Sequence, residues 1–244
     1  MQLQARVISL ARTPERLEAF RQRFALASPT IAWAPGVDGA CLELETLLAE
    51  GVVDASAMSW PVGQLGCGLS HLACWRECVQ LNQSLLIFED DAVPAVDWQD
   101  KLSGLVDKLV GVEFELLLLG WNLDSCTELQ WAPGHHLTSL YRPRYPDQAS
   151  LASALASVQD RQWLRLMQAF GLAAYIVSPK GARALLDWAL PLRSLTISNL
   201  ALNAYATTSL DGQLNGIYQQ LQAWACFPPL IVGSNDQAQS QTKV

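Results

Sequence analysis

Positive charge is in short supply in this chain. It sets 16 Lys and Arg against 23 Asp and Glu over 244 residues, a formal charge of -7. A nucleic-acid backbone is held by neutralising cations, so this balance argues against DNA or RNA as the partner. Long apolar runs are missing too. None reaches the roughly 20 residues that a membrane-spanning helix needs, so any membrane association is expected to be peripheral at most. The opening residues place Arg6 inside an apolar alternation and lack a signal-peptide profile. This predicts a cytoplasmic protein, with the inner face of the membrane as its place of membrane contact. No internal repeat is present. The charged fraction is only 16% and half the residues are apolar, which excludes a disordered chain. The length suits one large or two small domains. The six cysteines are scattered, and Cys74-x-x-x-Cys78 fits one helical face rather than a zinc knuckle. Reduced core residues are the plain reading, with a metal or redox site as the alternative.

What stands out is Gly63-Gln64-Leu65-Gly66-Cys67-Gly68-Leu69-Ser70-His71, followed after one helical pattern by Leu85-Leu86-Ile87-Phe88-Glu89-Asp90-Asp91. The second stretch is an apolar run closed by three acids, which reads as a buried strand. Adjacent carboxylates repel and raise one another's pKa unless a cation sits among them. Open α/β sheets present ligand sites at the C-terminal ends of their strands. Oxygen ligands of this kind suit Mn²⁺ or Mg²⁺. The pattern therefore predicts a metal held for a phosphate-bearing substrate, against the alternative of a solvated turn with capping acids.

Along the chain, residues 5–10 read as a strand, and Thr13 with Pro14 and Glu15 opens a helix. A short strand at 31–33, a helix over 42–50 and a helix over 65–81 follow. Then come a strand at 84–88, a helix capped by Asp97 and a strand at 114–119. This alternation predicts a mostly parallel sheet covered on both faces. Residues 122–166 break the pattern and read as a functional loop or lid. Regularity returns with a strand over 170–177, a helix opened by Ser178-Pro179, a short helix capped by Asp211 and a strand at 223–227. The domain expectation is one unit over 1–232, with a nucleotide half at 1–121 and an acceptor half at 122–232. A polar tail occupies 233–244.

Several stretches together resemble glycosyltransferase family 25, the lipooligosaccharide galactosyltransferase family. They are Val7-Ile8-Ser9-Leu10-Ala11-Arg12-Thr13-Pro14-Glu15-Arg16, Val37-Asp38-Gly39, Gly66-Cys67-Gly68-Leu69-Ser70-His71 and Phe88-Glu89-Asp90-Asp91-Ala92. Gly171-Leu172-Ala173-Ala174-Tyr175-Ile176-Val177-Ser178 with Lys180-Gly181-Ala182 matches a later family pattern, and Leu210-Asp211 and Phe227-Pro228-Pro229-Leu230 are weaker echoes. The resemblance implies a GT-A-type, Rossmann-like nucleotide-sugar-binding fold. It further implies a UDP-galactose-like donor, a divalent metal and an inverting transfer to a glycan or lipid-linked glycan. Three departures stand out. Ala11 replaces a common acidic or polar residue, no histidine follows His136 to complete the metal site, and residues 142–163 match nothing in the pattern.

Glu89 and Asp91 point to one side of an extended segment and are the expected metal ligands, with Asp90 turned away or serving the donor site. Ser9, Leu10, Arg12 and Arg16 follow the first strand, where the arginines could grip phosphate. Exposed helix charge is the alternative for Arg16. Asp38 could accept from uracil or ribose, or simply form a turn. Ser70 and His71 are assigned to the donor, although a lone histidine is more often a core residue. His135 and His136 are possible ligands in the irregular segment, against plain surface residues. Inversion needs a base for the acceptor hydroxyl, for which Asp211 is the first candidate and Asp124 the second. A plain N-cap is the alternative for Asp211. Trp121 and Tyr175 are placed on the acceptor side, with Trp121 alternatively just packing. Two other functions compete. One is a GT-A-like domain that binds nucleotide or glycan without turnover. The other, a phosphotransferase with an acidic pocket, fits poorly because the strand ends in Glu and Ala92-Val93-Pro94 follows.

Overall fold

The computed structural model describes residues 3–24, 31–96, 98–109, 111–141, 147–199 and 203–234. Its first strand, β1 (Gln4–Ser9), is followed by α1 (Pro14–Arg23), which starts on proline with Glu15 in its first turn. Proline has no N–H to lose there, and an acid complements the helix dipole. Thr13 takes the cap position without a side-chain capping bond. β2 (Ile31–Pro35) and the short α2 (Leu44–Ala49) lead to the long α3 (Val62–Leu81), which begins at Val62 rather than at the expected Leu65. β3 (Leu85–Glu89), β4 (Ala92–Pro94), α4 (Trp98–Asp107) and β5 (Leu116–Trp121) complete the first half. The expected cap of α4, Asp97, lies outside the described residues.

The expected loop over 122–166 is a correction. Its described part forms a hairpin, β6 (Cys126–Ala132) and β7 (His135–Leu140), then α5 (Gln148–Ser157) and β8 (Gln162–Gln168). Ala is the best helix former, so the small-residue run that looked irregular is a helix, capped by Asp147 accepting from the Ser150 N–H at 2.9 Å. The hairpin was masked because β6 buries polar Thr127 and Glu128, which blurs its alternation. His136 Nδ1 lies 2.6 Å from Glu128 Oε1, which supplies the partner that burial demands. β9 (Ala174–Val177), α6 (Pro179–Ala189), the hairpin β10 (Thr196–Asn199) and β11 (Asn203–Ala206), α7 (Leu210–Leu214), β12 (Ala223–Phe227) and β13 (Ile231–Gly233) close the fold. Asp211 is not the cap of α7. Ser209 holds that place and accepts from the Gly212 N–H. Residues 235–244 of the expected polar tail lie outside the description.

The strands order as β2-β1-β3-β9-β5-β12-β8-β6-β7, with β13 beside β5 and β4. β1 pairs parallel with β2 and β3, and β5 parallel with β12, whereas β9 runs antiparallel between β3 and β5. The class is α/β with a mixed sheet, parallel on the side that carries the acids. β9, from the second half of the chain, lies between two strands of the first, so the halves share one sheet. Alternation feeds two cores, one on each face. Leu85 and Ile87 of β3 face α3, α6 and α7, while Leu86 and Phe88 face α1, α4 and α5. Leu116 and Leu118 of β5 split from Leu117 and Leu119 in the same way. This double burial is why both strands read as unbroken apolar runs. Among the described residues no helix is long and apolar enough to cross a membrane.

Candidate active site

β1 and β3 run parallel with Ile8 opposite Glu89, and Phe88 of β3 and Gly120 of β5 both sit opposite Ala174. Three strands thus deliver their C-terminal ends to one edge, the place where α/β sheets bind ligands. A cleft of about 450 Å³ opens there. It is lined by Leu10, Arg12, Arg16, Asp38, Ser70, His71, Glu89, Asp90, Asp91, Asp124 and Asp211, which the chain carries far apart in sequence. Ser9, Trp121 and Tyr175 do not line it.

The acids sit on the turn between β3 and β4, and α1 clamps that turn. Asp90 is buried, accepts from Ser9 Oγ at 2.8 Å and from Arg16 Nε at 2.9 Å, and is ion-paired with an Arg16 Nη. Arg23 donates to the Asp90 and Ala92 carbonyls at 2.5 and 3.0 Å. Arg16 and Arg23 are seven residues apart, which puts them on one helical face. That spacing is visible in the sequence, but Arg23 was not singled out there. Ser9 and Asp90 therefore hold the turn together from within, and Arg16 is anchored to it.

Asp91 is left in a different state. Its Oδ1 is buried and has no hydrogen-bond partner among the described residues. Burial, and then the charge on Glu89, push its pKa from 3.8 up to about 7. A buried carboxylate oxygen without a donor, beside two more acids, is what a cation would relieve. The donor set thus fits a hard divalent ion.

The opposite wall is the loop around Asp38, held against the start of α3. A Cβ on Gly66 would lie 2.5 Å from the Val37 carbonyl oxygen and 2.7 Å from the Gly39 nitrogen. Only glycine lets the helix touch this loop backbone to backbone. Ser70 completes the joint, donating to the Gly66 carbonyl at 2.7 Å and accepting from the Val37 N–H at 2.8 Å. Its hydroxyl is thus used inside the protein rather than offered to a donor. Asp38 accepts from the Ala40 N–H at 3.1 Å and from Arg12 Nε at 2.6 Å, which together hold its carboxyl below the usual range. Arg12 remains 45% exposed and so is accessible to an anion in the cleft. Gly66→Ala is expected to cost about 1–3 kcal/mol of stability by displacing the loop. A melting curve checks it, and a wild-type melting temperature would show that the joint is not needed.

His71 is buried, with Nδ1 2.9 Å from the Tyr175 hydroxyl and Nε2 3.1 Å from Glu89 Oε1. Trp75 Nε1 donates to the same Tyr175 oxygen at 2.8 Å. Tyr175 has no exposed surface, which corrects its placement against an acceptor. Burial, above all, lifts its hydroxyl pKa well above the ordinary value. Trp121 is corrected likewise, since it is fully buried and its Nε1 donates to Tyr141 at 2.8 Å. Packing was the right alternative for it. Cys67, read from the sequence as a core residue, lines the cleft one turn before His71, and burial raises its thiol pKa. On the far wall, Asp211 Oδ2 accepts from the Gly171 N–H at 2.6 Å. Gly171 has φ +85°, a conformation that side chains disfavour. Asp124 stands nearby on the turn after β5. His135 and His136 lie on β7 and do not line the cleft.

Among the solved structures that this chain resembles, at low similarity, is "Crystal Structure of A197 from STIV". It is 10% identical over 95% of this chain and 83% of that one, with a TM-score of 0.39. No curated protein matches. A family model for glycosyltransferase family 25 (LPS biosynthesis protein) matches residues 2–200, which take in β1, the glycine joint and the acid-bearing turn. The chain therefore belongs to glycosyltransferase family 25, described as LPS biosynthesis proteins.

Proposed function

We propose that this chain is an inverting, metal-dependent glycosyltransferase. It moves a sugar, galactose from UDP-galactose in the first instance, to a hydroxyl of a glycan or lipid-linked glycan. The observation that carries the reading is the orphaned, buried Oδ1 of Asp91 beside Glu89, at the strand edge where a nucleotide would lie. Glu89 and Asp91 would hold Mn²⁺ or Mg²⁺, which supplies Lewis-acid stabilisation to the departing diphosphate. Arg12 adds positive charge for the phosphates from the accessible side of the cleft. Arg16 and Arg23 keep the acid turn fixed, so the ligand oxygens are set before substrate arrives. Asp38 accepts from the ribose or uracil. Asp211, fixed through Oδ2 by the Gly171 N–H, takes the proton from the attacking acceptor hydroxyl.

The test is nucleotide release from a panel of nucleotide-sugars with oligosaccharide acceptors, run with Mn²⁺, Mg²⁺ or a chelator. Release that needs both acceptor and metal, and is greatest with UDP-galactose, is the expected result. Release indifferent to chelator would overturn the metal assignment. Donor binding without any release would identify a binding module instead.

A further inference from the structure

Helix α3 carries Cys67 and His71 one turn apart, on the side that meets the end of β3. There the Cys67 sulfur, a His71 ring nitrogen and a Glu89 carboxylate oxygen all lie within 4.8 Å of one another. A sulfur, an imidazole nitrogen and an oxygen converge on one point. That mixture is unlike the all-oxygen sets that Mn²⁺ and Mg²⁺ favour, and it matches what Zn²⁺ takes. Tetrahedral zinc holds such atoms roughly 3.3–3.8 Å apart, given its usual bond lengths, so any pair beyond that, within the 4.8 Å limit, must close on the ion.

The imidazole is already aimed. Its Nδ1 lies 2.9 Å from the Tyr175 hydroxyl, and Nε2 turns toward Glu89. Tyr175 is itself held by Trp75 Nε1 at 2.8 Å, and all three rings are buried. In the metal-free chain Nε2–H donates to Glu89; a cation would take the place of that proton, and Nδ1–H would then donate to the phenol oxygen, leaving the Nε2 lone pair for the metal. An outer bond that fixes the ring in this way is typical support for a ligating histidine. We infer that Cys67, His71 and Glu89 form a site for a thiophilic divalent cation, Zn²⁺, distinct in its ligand set from the oxygen pair Glu89 and Asp91 but sharing Glu89 with it. Three protein ligands leave a fourth tetrahedral position for water or a substrate oxygen. Glu89 belongs to both sets, so zinc and the transfer metal exclude one another. That last consequence rests on the function proposed above, whereas the zinc site itself does not.

The experiment uses the metal-stripped full chain. Zn²⁺ is titrated against a chromophoric chelator, and Co²⁺ serves as the spectroscopic stand-in. One zinc per chain and a near-ultraviolet thiolate-to-cobalt band are expected. Cys67→Ser should remove the band and weaken zinc by at least about tenfold. Cys41→Ser removes an exposed thiol and should leave both unchanged. Asp91→Asn should keep zinc affinity within about twofold while weakening Mn²⁺. Cys67→Ala repeats the first variant if serine does not fold. A cobalt spectrum with no thiolate band, or wild-type zinc affinity in the folded Cys67 variants, would overturn the site. No readout here uses a sugar donor, so failure of the transferase reading would leave this result standing.

Discussion

Asp91→Asn is expected to weaken UDP binding in the presence of Mn²⁺ by at least about tenfold, roughly 1.4 kcal/mol. The same change is expected to raise the melting temperature of the metal-free protein at pH 8. Both follow from one oxygen. Oδ1 of Asp91 is buried with no partner among the described residues, and the carboxyl holds its proton to about pH 7 instead of 3.8. Between about pH 4 and 7 the unfolded chain has lost this proton while the folded chain keeps it. The folded state then binds more protons, so stability falls as pH rises through that window. Above pH 7 the fold contains an ionised carboxylate at a cost on the order of 2–4 kcal/mol. Asn carries no such charge. The variant's advantage should be absent near pH 4 and full near pH 8, where it amounts to roughly 5 °C or more for a chain of this size. Mn²⁺ should raise the wild-type melting temperature at pH 8 and leave that of the variant unchanged. A variant that melts lower at pH 8, or binds UDP equally with and without metal, would remove Asp91 from the metal site.

How far the sequence reveals this site depends on what each residue does. β3 is legible because a strand buried on both faces must be apolar throughout, so Glu89 ends it abruptly. Gly39 and Gly66 are legible as a motif, but their reason, a backbone contact across 27 positions, appears only in three dimensions. The direction of β9 was not readable, since an apolar run looks alike in either sense and only its pairing with β3 and β5 fixes it. Ser70 and His71 show the deeper limit. Their residue types suggest ligand contacts, yet the Ser70 hydroxyl and both His71 nitrogens already have protein partners. Whether a polar group faces inward or outward is decided by its neighbours, and those come from β9 and the Asp38 loop.

Asp211→Asn is expected to lower transfer by about 10²-fold or more while leaving donor affinity near wild type. A plain helix cap was the competing explanation for Asp211, and the fold assigns that work to Ser209, whose Oγ accepts from the Gly212 N–H. Asp211 instead occupies the first turn of α7 and bridges to Gly171 through Oδ2 at 2.6 Å. It lies past residue 200, where the family match ends, so its assignment rests on its place in the cleft. Asn retains a carbonyl oxygen that can accept from the Gly171 N–H. What it loses structurally is a negative charge near a helix N-terminus, about 0.3–1 kcal/mol. A structural role therefore predicts a slightly lower melting temperature and nearly normal transfer. A base predicts lost transfer whatever the small change in melting temperature, because an amide cannot take a proton from the acceptor hydroxyl. In the proposed mechanism donor and metal bind through the phosphates on the opposite wall, so their affinity should not sense the change. The measurement is the transfer rate at saturating donor with a competent acceptor, beside UDP calorimetry and a melting curve. Near-normal transfer would move the role to Asp124, on the turn after β5 in the same cleft.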